Sequence, residues 1–488
     1  MKKMAHSFAN LFLLLTFSAC ATSNIAYRKP PAEDWRNTKP KAGPIVETSL
    51  PNFETIRLDN GLQVILVKES QLPIVTYELL VKAGSSSEDA TKAGLASIVA
   101  DMLTKGTKKL DADDYAEALA DIGTAIHSSC DKDAANLGLG VLSQHASEGL
   151  SLLADAILRP AFDSTEFERL KRLQIATLEK RKGNPRAIGS DIFYQKIYGA
   201  QHPYGHPTAG TLKSVDSISL RQVRQFYKKH YSPATATLIA VGDLEKEVVL
   251  ADIKKNFGKW RGPATPPSTP KNVTAASQLT IYVVPRDNAP QSFMMLGRPL
   301  IRKGDPDEYR LKVMNAAFGG LFNSRLNMKL REEKQYTYGA RSSVNPFRGQ
   351  GVLTAGGMIK GENTIDALKE TLLILEKTQA EGISKEELTF SKDSLIKPLP
   401  SYFETIEAIA GAASNLATYD LPMNQYELVL KQINAVTHED TTRVAKDSLA
   451  ANNYIVVLVG DDQFIKSRID EIENADIIYV NESGDKLP

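Results

Sequence analysis

Histidine is the side chain most often used to hold a catalytic metal, and this chain has seven. His6 falls in an apolar leader, which leaves His127, His145, His202, His206, His230 and His438. Only His202 and His206 stand four apart, the spacing that stacks two side chains on one helix face. Pro203, Gly205 and Pro207 interrupt them, so no regular helix can align the two imidazoles. Metal chemistry built on histidine pairs is therefore not expected anywhere in the chain.

The segment that frames a site most completely has lost its reactive groups. Gly94-Leu95-Ala96-Ser97-Ile98-Val99-Ala100-Asp101-Met102-Leu103-Thr104-Lys105-Gly106-Thr107 resembles the inverted zinc motif of the pitrilysin/insulinase metallopeptidases, roughly G-L-A-H-x-x-E-H-M-L-x-K-G-T. In that family two histidines hold zinc from one helix, and the glutamate between them activates the attacking water. Here those three positions are Ser97, Ala100 and Asp101, while the flanking residues agree. The third ligand of the family is a glutamate on a later helix, and Glu179 stands at the matching distance. It is either a remnant of that ligand or an ordinary carboxylate on a helix surface. With no imidazole beside it, a carboxylate pair makes a poor zinc site. The His202-to-Pro207 stretch is similar to the family's H-P-Y-G-x-P loop, a structural turn.

A second resemblance lies far downstream. Gly319 to Gly339 (GGLFNSRLNMKLREEKQYTYG) looks like the family segment G-x-x-S-R-L-x-x-x-L-R-E-x-x-x-x-x-Y. Leu326 and Leu330 behind a glycine-rich entry fit an amphipathic helix, with Arg331 at its end and Tyr338 on the strand that follows. The resemblance implies an arginine–tyrosine pair that reaches across a chamber to the zinc site of another half or subunit. A guanidinium and a phenol suit that role, because both can donate hydrogen bonds to a scissile carbonyl as it becomes an anion. The competing reading is a surface salt bridge for Arg331 and a packed strand residue for Tyr338.

The elements that must position these groups repeat. Tyr231 to Asp243 is a β-branched run ending Val-Gly-Asp, and Asn453 to Asp461 ends in the same way. Residues 146–178 and 363–396 each read as an apolar helix, a break and a charged helix. Asn60-Gly61, between the apolar runs Ile56-Arg57-Leu58 and Leu62 to Val67, signals a β-hairpin. Arg261 to Pro270 is proline-rich and reads as a linker. The expected organisation is an α+β first half over 51–260, a linker over 261–276 and a homologous second half over 277–488. The resemblance implies that each half comprises two related α/β subdomains, as in the mitochondrial processing peptidase, and that the halves pack as a clam-like chamber.

Lys2 and Lys3, an apolar run from Phe8 to Phe17, and Ser18-Ala19-Cys20 form an export signal over 1–19. It resembles a bacterial lipoprotein signal, with Phe17 where an aliphatic residue is usual, and this implies lipidation of Cys20. Ala21 and Thr22 carry no acidic sorting signal, so the outer membrane is the implied destination, with residues 20–50 as a Pro/Lys/Thr-rich tether. Cys130 is then the one remaining cysteine, expected to be a buried, inert thiol. A net charge of +1 gives no electrostatic case for nucleic acid.

Together these residues resemble the zinc-less subunit in the two-subunit bacterial branch of the family. That resemblance implies a chain with no metal of its own and inactive alone. It would be a periplasmic lipoprotein that completes a peptide-binding chamber for a homologous, zinc-bearing H-x-x-E-H partner. A catalytically inert scaffold or peptide-binding lipoprotein of the same fold is the alternative. An autonomous peptidase would need the groups that Ser97, Ala100 and Asp101 replace.

Overall fold

The computed structural model describes residues 50–263, 266–267, 269–450 and 453–488. Cys20, its signal and its tether lie outside the described residues, apart from Leu50. Asn60-Gly61 does turn a hairpin: β1 (Glu54–Arg57) runs antiparallel to β2 (Gln63–Lys68). Gly61 takes the left-handed backbone (φ +93°) that favours glycine in such turns. The Asn60 amide ties the turn down by donating to the Phe257 carbonyl at 2.8 Å.

Four further strands complete the first sheet: β3 (Ile74–Val81), β4 (His127–Cys130), β5 (Ala135–Leu142) and β6 (Ala236–Gly242). The second sheet holds β7 (Leu279–Pro285), β8 (Gln291–Pro299), β9 (Thr337–Asn345), β10 (Val352–Lys360), β11 (Ile455–Gly460) and β12 (Ala475–Tyr479). Their orders are β1-β2-β6-β3-β5-β4 and β12-β7-β11-β8-β10-β9. Strand for strand, β2-β6-β3-β5-β4 repeats as β7-β11-β8-β10-β9, with one parallel pair followed by three antiparallel ones in each. The two Val-Gly-Asp sequences close the equivalent central strands β6 and β11. Only the far edge differs, covered by an N-terminal hairpin strand in one half and by a C-terminal parallel strand in the other. The two α/β subdomains expected within each half share a single sheet, because the remaining residues of a half are spent on helices that cover sheet faces.

The predicted helical pairs are Ala146–Leu158 with Ser164–Arg181, and Thr364–Glu381 with Lys385–Ile396. Each central strand is buried on both faces. On β6, Leu238 and Ala240 face a core made with α1 (Leu95–Met102) and other first-half helices, while Ile239 and Val241 point to the opposite side. That opposite side is covered from the other half. Helix α2 (Pro185–Tyr198) packs Ile188, Ile192 and Phe193 on β8 and β11 of the second sheet. Helix α3 (Ile406–Thr418) packs Ile409, Ala413 and Leu416 on β3 and β6 of the first. The halves have exchanged equivalent helices. Phe193 is fully buried in this exchange, so the contact is part of the core.

Candidate functional site

Gly94, at φ +97°, lets the chain turn sharply into α1, and its N–H donates to Glu88 at 2.9 Å. The Glu88 carboxylate also accepts from Ala96 N–H at 2.7 Å, satisfying orphan donors at the helix start. Burial pushes its carboxyl up to about 8 against those backbone hydrogen bonds. Burial likewise pushes the His206 imidazole, 3.6 Å away, down to about 4.

Along α1, Ala100 is buried, whereas Ser97 and Asp101 are half-buried. Ser128 on β4 donates to Asp101 at 2.7 Å, and burial raises the Asp101 carboxyl above its ordinary range. This donor set does not fit zinc. It offers a methyl, a hydroxyl and one carboxylate already bonded to a neighbour, where a catalytic site wants three good ligands. Glu179 sits on the exposed face of helix Ser164–Arg181 and pairs with Lys182 at 3.0 Å, the geometry of an ordinary surface pair. Among the described residues no three His, Cys, Asp or Glu side chains cluster as metal ligands would. Cys130 is free and partly buried; burial first, then the nearby carboxylates of Glu88, Asp131 and Asp101, hold its thiol well up.

His202 and Tyr204 belong to a clasp that joins the first half to the linker and the second half, while His206 stays within the first half beside Glu88. His202 bonds Tyr204 N–H through Nδ1 (3.0 Å) and the linker carbonyl of Lys271 through Nε2 (2.9 Å). The buried Tyr204 hydroxyl donates to Asp133 at 2.6 Å and accepts from Gly349 N–H at 2.9 Å. The turn is structural, as expected.

The second half does bring its two residues together. Arg331 and Tyr338 line one pocket of about 320 Å³ with Gln291, Glu332, Gln335, Thr337 and Lys360. Ser324 opens the short helix Arg325–Asn327. Arg325 then grips Glu387 through both carboxylate oxygens (2.7 and 2.5 Å), anchoring the segment to helix Lys385–Ile396. The regular amphipathic helix expected to end at Arg331 is replaced by a wider turn. Lys334 N–H reaches back five residues to the Lys329 carbonyl, an i→i+5 bond often found at functional sites. Gly319 makes room for this packing, since a Cβ there would lie 2.4 Å from Ser342 Oγ. Asn327 joins helix to strand: its amide donates to the Phe322 carbonyl at 2.6 Å, and its oxygen accepts from Ala340 N–H at 3.1 Å.

Tyr338 is 86% exposed, and the cause lies in strand register. Ala340 pairs with Gly357 and Thr337 with Ile359, so Tyr338 and Gly339 together face Met358. This is a β-bulge, which disrupts the two-residue alternation and re-aims a side chain. The Thr337 hydroxyl stabilises it by donating to the Met358 carbonyl at 2.5 Å. Tyr338 is therefore not a packed strand residue. The Arg331 guanidinium lies 4.7 Å from the Phe322 ring centre and 3.2 Å from Glu332, held by a cation–π contact and one carboxylate. Sequence reasoning missed Phe322, Asn327, Ser128 and Lys360. Asn327 and Phe322 lay inside the recognised segment, but the bond from Ala340 on the following strand to Asn327 leaves no local pattern.

Comparison with known proteins agrees with this geometry. Residues 63–211 match the model of the insulinase family (peptidase family M16), and residues 217–395 match the peptidase M16 inactive domain. An uncharacterized zinc protease of Mycobacterium tuberculosis is 27% identical over 410 residues, covering 82% of this chain and 92% of its own. The peptidase M16 inactive domain from Pseudomonas fluorescens superimposes with a TM-score of 0.78 at 25% identity, covering 84% of this chain and 98% of that one. A protease from Helicobacter pylori superimposes at 0.77 and 22% identity, covering 84% and 100%. With the strand order, the altered α1 and the Arg331–Tyr338 pocket in view, the chain belongs to the insulinase (M16) family and carries that family's inactive-type domain.

Proposed function

We propose that this chain is the non-zinc subunit of a two-subunit peptidase, supplying Arg331 and Tyr338 to a zinc-bearing, H-x-x-E-H partner. One observation carries the reading. Tyr338 is pushed out of its strand by a bulge, stands 86% exposed and shares a pocket with Arg331. Both groups donate hydrogen bonds, so they can hold a peptide carbonyl and stabilise the charge that develops on it. In the first half, the motif positions Ser97, Ala100 and Asp101 supply no imidazole and lack the family's glutamate base. The expected anchor at Cys20 would place the assembly in the periplasm against the outer membrane. Among the described residues no helix is long and apolar enough to cross a membrane.

The test is copurification of the partner from membranes, followed by peptidase assay of complexes carrying Tyr338→Phe or Arg331→Ala. Each should assemble normally and lose about 100- to 1000-fold in kcat, the scale of one oxyanion donor. Normal assembly with an unchanged rate would leave the scaffold role instead.

A further inference from the structure

We infer that the Arg331–Tyr338 pocket selects peptides with an acidic side chain next to the scissile bond, and that Lys360 reads it; this rests on the peptidase-subunit reading above. Lys360 ends β10 directly opposite Gln291 on β8, and its N–H donates to the Tyr336 carbonyl at 2.8 Å. Its backbone is thus fixed between two neighbouring segments at the pocket wall. The pocket holds two cations, Arg331 and Lys360, and one carboxylate, Glu332. That carboxylate lies 3.2 Å from the Arg331 Nε and offsets the guanidinium charge. Lys360 has no carboxylate within ion-pair reach among the described residues, whereas nearby Lys334 is taken by Glu370 at 3.1 Å. The pocket is therefore net positive, with one ammonium free to act.

At about 320 Å³ the cavity takes a single side chain rather than a large ligand. The Gln291 and Gln335 amides in the same wall can donate to the second oxygen of an incoming Asp or Glu. A lysine suits the task because its ammonium is a compact charge on a flexible stem, able to follow carboxylates of either length. Lys360 is a specificity residue in this account, not a catalytic one.

The experiment uses the reconstituted complex and paired peptides that differ only by Asp or Asn, placed at each position flanking the cleaved bond. At one position the wild type should favour Asp by roughly fivefold in kcat/KM, the scale of a partly exposed ion pair. That preference should weaken as salt screens it. Lys360→Gln should abolish the preference by lowering kcat/KM for the Asp peptide more than for the Asn peptide, and Lys360→Arg should keep most of it. Equal rates for Asp and Asn peptides at every position would overturn the inference, as would an Lys360→Gln variant that slows both peptides alike. Tyr338→Phe run in parallel separates the two claims. If it slows cleavage while no acidic preference exists, only the role of Lys360 fails; if it does not slow cleavage, the underlying reading fails. Binding of the same peptide pair to the purified full chain gives a readout without the partner, and equal affinities there would also count against Lys360.

Discussion

The two halves have the same five strands in the same order, yet their equivalent edge strands behave differently. In the first half β4 keeps regular register with β5, His127 opposite Gly138 through Cys130 opposite Ala135. Its Ser128 turns back to α1 and satisfies Asp101. In the second half β9 runs to nine residues and is bulged, and the side chain at the bulge leaves the fold. One edge closes on its own helix and the other opens toward something else. The scaffold alone therefore does not determine which edge presents its side chain to solvent. A single extra residue in the register, together with the groups around it, makes the difference.

The strongest way to break the comparison is to attack what makes the halves interdependent. Phe193→Ala removes a fully buried ring that the first half inserts under the second sheet, and should cost about 3–5 kcal/mol. Urea unfolding should show one transition moved as a whole. Two separated transitions would mean that the halves are independent.

A smaller effect sharpens the contrast at α1, whose start depends on a buried carboxylate. The folded-state Glu88 carboxyl stands near about 8, against an ordinary 4.5 in the unfolded chain. Between those values the unfolded state has released its proton and the folded state keeps it. Stability contributed by Glu88 is therefore full below about 4.5 and falls as pH rises toward about 8. Glu88→Gln should flatten that slope in unfolding free energy measured from pH 5 to 8. An unchanged slope would place the titration elsewhere.

The smallest effect concerns the altered metal position itself. Burial disfavours ionised Asp101, so its contribution to stability declines as pH rises above the ordinary carboxylate value of 3.8. Asp101→Asn keeps an oxygen for Ser128 and removes the charge. It should raise neutral-pH stability slightly, with the gain vanishing in acid. A loss at neutral pH would show that the Asp101 charge is needed where it stands.

Much of this was legible from local pattern. Asn60-Gly61 fixes a hairpin through turn chemistry, and the repeated Val-Gly-Asp and paired helices reveal the duplication, because each is set within a few residues of chain. The altered motif at Ser97, Ala100 and Asp101 was equally plain, since its frame survives. The helix exchange was not legible: the apolar stripe of α2 says that it is buried, not which sheet buries it. The bulge at Tyr338 was hidden for a related reason. Register belongs to a pair of strands, and Gly357 to Ile359 lie some twenty residues further along the chain. The widened turn at Lys329–Lys334 kept the apolar spacing of a helix at Leu326 and Leu330 and so passed for one.

The exchange of α2 and α3 also sets a timetable for synthesis. When Gly242 leaves the ribosome, the first sheet can pair its strands, but Ile65, Val67, Leu80, Ile239 and Val241 have nothing to cover them. Their cover, Ile406–Thr418, arrives roughly 160 residues later, on the order of ten seconds or more at ordinary translation rates. Through that interval an apolar sheet face waits for the far end of the same chain. A truncation before α3 would therefore leave a half that is sticky rather than merely incomplete, with that apolar sheet face uncovered.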